Sequence, residues 1–409
     1  MRILQVLPSV LRNVSGELEV DVDFAHLVRV YAENFEAVTV ACTVTTRVMD
    51  SGLERCVPVK ELPYGPDRLK FVPLPNGYRM ADFIRHRASV RAILTKEIAT
   101  ADYLIFSPHT LVGDWPTLGI REAIRLGKPY VVEADVVYES VSQVRKASLW
   151  KRAVARPVFA PLFSRVYRHS LKHSSLALFQ GQDTFDAYAP FCATAYKCFN
   201  VPIYKGDHIT EAELQAKLSR IDQGGAIKIC YAGRAVPMKG PIEWLEVIGE
   251  LVKRGVPLEA TWMGDGSMLG EMAAYIFAHG LTPFVKLAGY VSDHKATLCA
   301  LKAADVLLFC HKTLESPRVL GEALACGCPL IGYGGAYPAD LVSTSGGGRF
   351  ADLGDWRKLA DIIEELNASR ESLRSLIIQA SQSGQRHDRD AELQRRAELI
   401  KRFGRNRAP

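Results

Sequence analysis

Two cations five residues apart, Arg234 and Lys239, follow a short apolar run in Tyr231-Ala-Gly233-Arg234-Ala-Val-Pro-Met-Lys239-Gly240. A guanidinium engages two phosphate oxygens through its planar fork, an ammonium adds a point charge, and Gly233 lets the backbone approach, so the pair suits a diphosphate. Taken alone, ordinary solvated loop cations explain the pair as well. Next comes Met263-Gly264-Asp265-Gly266-Ser267. Such a glycine-rich turn can aim amide N–H groups at an anion, and a plain tight turn fits equally. The richest stretch is Leu314-Glu315-Ser316-Pro317-Arg318-Val319-Leu320-Gly321-Glu322, running on through Ala-Leu-Ala-Cys-Gly-Cys-Pro. Ser316-Pro317 marks a helix start, with Glu315 just before it and Glu322 expected about two turns inside. A carboxylate accepts hydrogen bonds from two neighbouring hydroxyls, so the two glutamates suit a ribose and a sugar. Capping carboxylates on a solvated helix are the alternative.

Strand-like runs alternate with helical patterns along most of the chain, which predicts βαβ units and parallel sheets. In the first half the runs are Arg2–Leu7, Ala37–Cys42, Leu104–Ser107, Pro129–Ala134 and Leu176–Phe179. In the second they are Lys228–Ala232, Leu258–Met263, Val285–Leu287, Val306–Cys310 and Pro329–Tyr333. The fold class expected is α/β, with two Rossmann-like doubly wound domains facing a cleft. The boundaries expected are 1–205, a linker at 206–225, a second domain at 226–385 and a basic terminal helix at 386–409 that packs back on the first domain. Ligands of such sheets sit at the carboxyl ends of strands, where all three motifs fall.

The net charge of +6 over 409 residues is concentrated. Residues 145–173 carry eight Lys and Arg and no Asp or Glu, and the tail from Arg386 to Arg407 holds eight basic against four acidic residues. The body is therefore mildly acidic. Nine cysteines without a zinc-like Cys/His spacing predict reduced, buried thiols and a cytoplasmic protein. The opening Met1-Arg-Ile-Leu-Gln-Val-Leu-Pro8 is too short for a signal-peptide core.

In this order, on the strand ends of one sheet, the three motifs resemble family 4 of the glycosyltransferases, retaining enzymes of the GT-B fold. The resemblance runs from Lys228 to Ala380. It implies that Arg234 and Lys239 bind the diphosphate of a nucleotide-sugar donor, that Glu322 holds its ribose, and that Glu315 contacts its sugar. Backbone N–H groups within Ser316 to Leu320 assist, Pro317 having none, while Gly233, Gly264 and Asp265 line the donor site and Tyr290 and Val291 lie near the base. The family places seven residues between the two glutamates, and this chain places six. Arg318 is a cation where the family is commonly apolar.

The first half resembles the family more loosely. Its first loop, Asn13-Val-Ser-Gly16-Glu17, keeps one glycine for the donor phosphate or acceptor. In Lys128-Pro-Tyr-Val-Val-Glu133-Ala-Asp135, Asp135 stands where many members carry a histidine at the reaction centre. It is expected either to serve the reacting face or to cap the next helix. His109, Asp114 and Glu133 are the acceptor candidates. The resemblance implies catalysis by Glu315, Arg234, Lys239 and Asp135, with retention, no metal and no cofactor. The donor expected is a UDP-sugar, and the acceptor a glycan or lipid-linked molecule in cell-surface polysaccharide or glycolipid synthesis. Asp21-Val-Asp23 is read as solvated helix surface and not as a metal motif.

In 145–173 the cations are interleaved with Trp150, Phe159, Phe163 and Tyr167. That mix suits the anionic inner face of the cytoplasmic membrane, or helices packing their aromatics inward. No nucleic-acid module accompanies the charge, so nucleic acid is not an expected partner. Two other functions compete: a nucleotide-linked dehydrogenase using Gly264-x-Gly266, and a non-catalytic nucleotide-sugar binder.

Overall fold

In a computed structural model, the alternation of apolar runs and helical patterns resolves into two largely parallel sheets, each wrapped by helices. The structure describes residues 1–14, 16–45, 56–109, 114–135, 137 and 156–405. Among these, the first unit is built from 1–137, 156–199 and 390–405, and the second from 200–389.

The first unit holds nine strands: β1 (Arg2–Val14), β2 (Glu17–Asp21), β3 (Ala37–Thr45), β4 (Cys56–Pro58), β5 (Leu69–Leu74), β6 (Tyr103–Phe106), β7 (Val131–Ala134), β8 (Leu176–Gln180) and β9 (Ala195–Cys198). The parallel part runs β5-β3-β1-β6-β7-β8-β9, with Gln5 beside Val40 on one side and Ile105 on the other. Helices cover both faces. Val90, Leu94 and Ile98 of the Met80–Thr100 helix fill one core, with Tyr167 and Leu171. Tyr31 of the Val22–Asn34 helix and Ala397 and Ile400 of the Arg389–Phe403 helix fill the other.

The first strand is longer than its apolar run suggests. β1 continues to Val14 and folds back through a tight turn into β2, which pairs with β4, both antiparallel. Gly16 is therefore the tip of a hairpin (φ +92°), its N–H donating to Asn13 Oδ1 at 3.0 Å. Polar residues alternate through this arm, so it carries no apolar run to betray a strand.

The second unit contains β10 (Ile227–Ala232), β11 (Leu258–Met263), β12 (Val285–Gly289), β13 (Val306–Phe309), β14 (Leu330–Tyr333) and β15 (Gly348–Ala351). All are parallel, in the order β12-β11-β10-β13-β14-β15. In chain order that is 3-2-1-4-5-6, the doubly wound arrangement whose order reverses between its first and fourth strands. A crevice at the carboxyl ends of β10 and β13 follows from that topology.

The polar stretch expected as a linker supplies a helix of this unit, Glu211–Asp222. Thr210 and Glu213 close a capping box at its start, and Leu214, Leu218 and Ile221 are buried. It packs on the Arg370–Gly384 helix, which in turn packs on Arg318–Ala325. Lys217 from its inner face donates to the carbonyl of Gly327 at 2.7 Å, just beyond the end of the Arg318–Ala325 helix. A cation there complements the helix dipole.

Of the basic aromatic segment 145–173, residues 145–155 lie outside the described residues. Its second part is the Arg156–Lys172 helix. Tyr167 is buried, Phe163 stacks on it with centroids 5.5 Å apart, and both pack into the first unit's core. Arg165, Arg168 and Lys172 remain exposed. Phe163 and Tyr167 are thus interior packing residues.

Candidate functional site

The loop after β10 is built to lie across the ends of its neighbours. Gly233 N–H donates to Met263 O and Ala235 N–H to Asp265 O, both at 2.8 Å, so the Arg234 loop pairs with the turn after β11. Gly264 has φ +144°, and a methyl group there would overlap the carbonyl of Gly233. The glycines of that turn are thus required by close backbone approach. Their amides are engaged inside the protein: Gly264 N–H donates to Gly289 O at 2.7 Å and Gly266 N–H to Asp265 Oδ1 at 2.6 Å. One amide is thus held by a strand-end carbonyl and the other by the neighbouring carboxylate, as in a tight turn closed on itself.

The same loop then crosses to β13. Gly240 takes φ +62° against Cys310, and Lys312 N–H donates to Met238 O at 2.9 Å. This crossing delivers Lys239 to the loop after β13, where its Nζ lies 2.5 Å from Oε1 of Glu315. Their side chains are 12% and 18% exposed. Burial pushes the lysine below its usual pKa range, and Glu315 opposes that shift. Arg234 is exposed and forms no ion pair among the described residues.

Beneath the pair lies a residue that sequence reasoning passes over. His311, buried directly after β13, meets the hydroxyl of Tyr231 through Nε2 at 2.7 Å. Burial, with Lys239 nearby, holds its pKa well below the usual histidine range, so the ring is neutral. Tyr231 also packs on Trp262, with centroids 4.2 Å apart. The available signal was position: His311 follows the strand that meets β10 at the reversal of strand order.

The predicted helix runs Arg318–Ala325 with Pro317 at its cap position, and no side chain caps it. Arg318 is the exposed first residue of that helix, not part of a loop. Glu322 stands about one turn in, not two, and is largely buried, with His294 Nε2 at 3.4 Å from its Oε1. Tyr290 and Val291 follow β12, and Tyr290 is exposed. Arg234, Lys239, Tyr290, His311 and the Glu315–Leu320 stretch therefore all lie at the carboxyl edge of one sheet.

In the first unit the candidates separate. Asp114 is buried and caps the Trp115–Arg125 helix, accepting from Thr117 N–H at 3.1 Å and Thr117 Oγ1 at 2.6 Å. It also accepts His109 N–H at 3.1 Å, so both of these N–H bonds serve the local backbone. Glu133 is half-buried, with one carboxylate oxygen inside near Arg396 of the terminal helix, and burial raises its pKa. His109 and Asp135 do come together, with Nε2 and Oδ1 3.8 Å apart. Asp21 caps the Val22–Asn34 helix through Asp23 and Phe24 N–H groups. Among the described residues no group of three or more His, Cys, Asp or Glu is placed to hold a metal, and no helix is long and apolar enough to cross a membrane.

Residues 219–383 match the family model described as glycosyl transferases group 1. No curated protein matches the sequence. Among solved structures, HepE of Anabaena in complex with UDP is 15% identical with a TM-score of 0.70, covering 98% of this chain and 100% of that one. Sucrose-phosphate synthase of Thermosynechococcus elongatus is 14% identical with a TM-score of 0.67, covering 98% of both chains. WaaG, a glycosyltransferase involved in lipopolysaccharide biosynthesis, is 14% identical with a TM-score of 0.63, covering 97% of this chain and 99% of that one. At these identities the likeness concerns the fold, which is the two-sheet GT-B architecture.

Proposed function

We propose that this chain is a glycosyltransferase that moves a sugar from a nucleotide diphosphate donor, a UDP-sugar, to a glycan or lipid-linked acceptor with retained anomeric configuration. The observation that carries the reading is the Lys239–Glu315 pair at the reversal point of the second sheet, beside exposed Arg234, in a segment of glycosyl transferases group 1 type. UDP and UDP-glucose in complexes of the similar HepE structure favour uridine.

In this reading, Arg234 and Lys239 take the diphosphate, and the uncapped start of the Arg318–Ala325 helix adds its dipole. Lys239 leaves Glu315 for the phosphate, and Glu315 turns to the hydroxyls of the donor sugar. Glu322 holds the ribose, and Tyr290 and Val291 flank the base. The diphosphate departs against fixed positive charge, which is how preorganised electrostatics lower such barriers. No resident metal is required, because the cations neutralise the leaving group. The exposed cations Arg165, Arg168 and Lys172 support an anionic membrane on the cytoplasmic side as the place where a lipid-linked acceptor is met.

Calorimetry with UDP-, GDP- and ADP-sugars tests the donor. One of them should bind, and turnover of that donor should be lost in Lys239→Ala and Glu315→Ala. Binding with unchanged turnover in both variants would overturn the site assignment, and no binding of any would overturn the reading.

A further inference from the structure

β10 is held unequally by its two neighbours. Its ladder with β11 runs on to Ala232–Met263, whereas its pairing with β13 stops at Cys230–Leu307. Beyond that point lies the opening at the reversal of strand order, where a ligand of such a sheet sits. A side-chain bond crosses the opening. Tyr231 Oη and His311 Nε2 meet at 2.7 Å, from residues 80 apart in the chain.

Both partners are buried and held by their neighbours. The Tyr231 ring lies 4.2 Å from Trp262, which meets Trp244 edge-on at 5.5 Å. His311 lies against Phe309, with centroids 5.3 Å apart. Burial, with Glu315 adding to it, holds the phenol well above its usual pKa, so it keeps its proton. Burial and the Lys239 ammonium keep the imidazole neutral. The bond forms with either tautomer, since a hydroxyl both donates and accepts.

The same hydroxyl supports the Arg234 loop. A methyl group on Gly233 would come within 2.7 Å of Tyr231 Oη, so the backbone just before Arg234 lies directly against this oxygen. At the other end, His311 stands four residues before Glu315 and feels the charge of Lys239. The bond thus ties the Arg234 loop to the segment that carries Glu315.

We propose that Tyr231 and His311 are positioning residues whose hydrogen bond sets the width of the crevice, and so the distance between Arg234 and the Lys239–Glu315 pair. A ligand that must meet both sets of charges at once binds tightly only when that distance is fixed in advance. Only the identity of that ligand, a nucleotide diphosphate, rests on the donor reading.

The test uses the full chain. With ¹⁵N-histidine labelling and the His311 signals assigned from His311→Gln, Tyr231→Phe should move the His311 Nε2 resonance without any ligand. In calorimetry, Tyr231→Phe and His311→Leu should each weaken UDP by about fivefold or more. His311→Gln, which keeps an amide for the phenol, should stay within about twofold of wild type. The double variant Tyr231→Phe/His311→Leu strands no hydroxyl, so its stability to urea should exceed that of His311→Leu. Its UDP affinity should nevertheless stay as low as that of the weaker-binding single variant. An unmoved Nε2 resonance, wild-type affinity in a folded single variant, His311→Gln binding no better than His311→Leu, or affinity that recovers with stability in the double variant would each overturn the proposal. All four leave UDP binding by the wild type intact. A wild type that binds no UDP although the Nε2 resonance moves overturns the donor reading, and with it the role of the bond in placing a ligand.

Discussion

The ammonium of Lys239 and the carboxylate of Glu315 lie 2.5 Å apart, although 76 residues separate them in the chain. One is the expected phosphate ligand and the other the expected sugar ligand. Without a donor each satisfies the other, so the mostly buried site holds its charges in a neutral pair. Removing either partner strands the other in a low-dielectric place. Lys239→Ala and Glu315→Ala should each cost about 3 kcal/mol of stability. The double variant should cost clearly less than the sum, and urea unfolding in a double-mutant cycle measures the difference.

Arg234 differs because it is exposed and has no ion-pair partner among the described residues. Arg234→Ala should leave stability within about 0.5 kcal/mol of wild type while weakening UDP at least tenfold, about 1.4 kcal/mol. Arg234→Lys should recover only part of that affinity, since a point charge lacks the planar fork. Calorimetry beside thermal unfolding separates the two quantities.

Gly240 is where the loop bearing Lys239 turns. Its φ of +62° and its contact with Cys310 exclude a side chain. Gly240→Ala should destabilise the protein by about 2 kcal/mol or more and weaken UDP binding, because relief of the clash moves Lys239. Gly206→Ala has open space and no unusual φ, so it is the control expected to change neither.

His387 gives a pH dependence. Burial, with Arg386 and His208 adding to it, pulls its pKa from 6.5 down to about 3. Below pH 6.5 the unfolded chain takes up a proton that the folded chain refuses, so this contribution to stability falls with pH until about pH 3. Across that window His387→Gln should gain on the wild type by about 1.4 kcal/mol per pH unit. Denaturant unfolding of both proteins from pH 7 to pH 4 follows the difference, which stays flat if the folded protein binds the proton normally.

β13 and β14 were legible because they are buried along their whole length and appear as plain apolar runs, and Leu258–Met263 matches to the residue. β2, β4 and β15 were not, because their residues are only partly buried and polar and apolar side chains mix. The donor-side residues were visible through spacing along the chain. His311 was not, since its partner Tyr231 lies 80 residues away and nothing local announces the contact. Asp114 and Asp135 look alike in sequence, each an acid after a strand. Only burial tells the helix cap from the exposed carboxylate. The glycines of the Gly264 turn left two readings open for a related reason, because crowding by a neighbouring backbone and cradling of an anion demand the same residue.

The terminal helix Arg389–Phe403 seats Ala397 and Ile400 in the core formed by residues from the chain's opening strands, and brings Arg396 to Glu133. During synthesis this has a temporal consequence. The unit that leaves the ribosome first is the last to be finished: the second unit's strands and helices are all translated before the piece that closes the first one arrives. Until the Arg389–Phe403 helix emerges, the face around Tyr31 stays open, with Glu133 unmatched by Arg396. A stop codon just before residue 389 would spare the whole second sheet and still leave the earliest-made part of the protein incomplete.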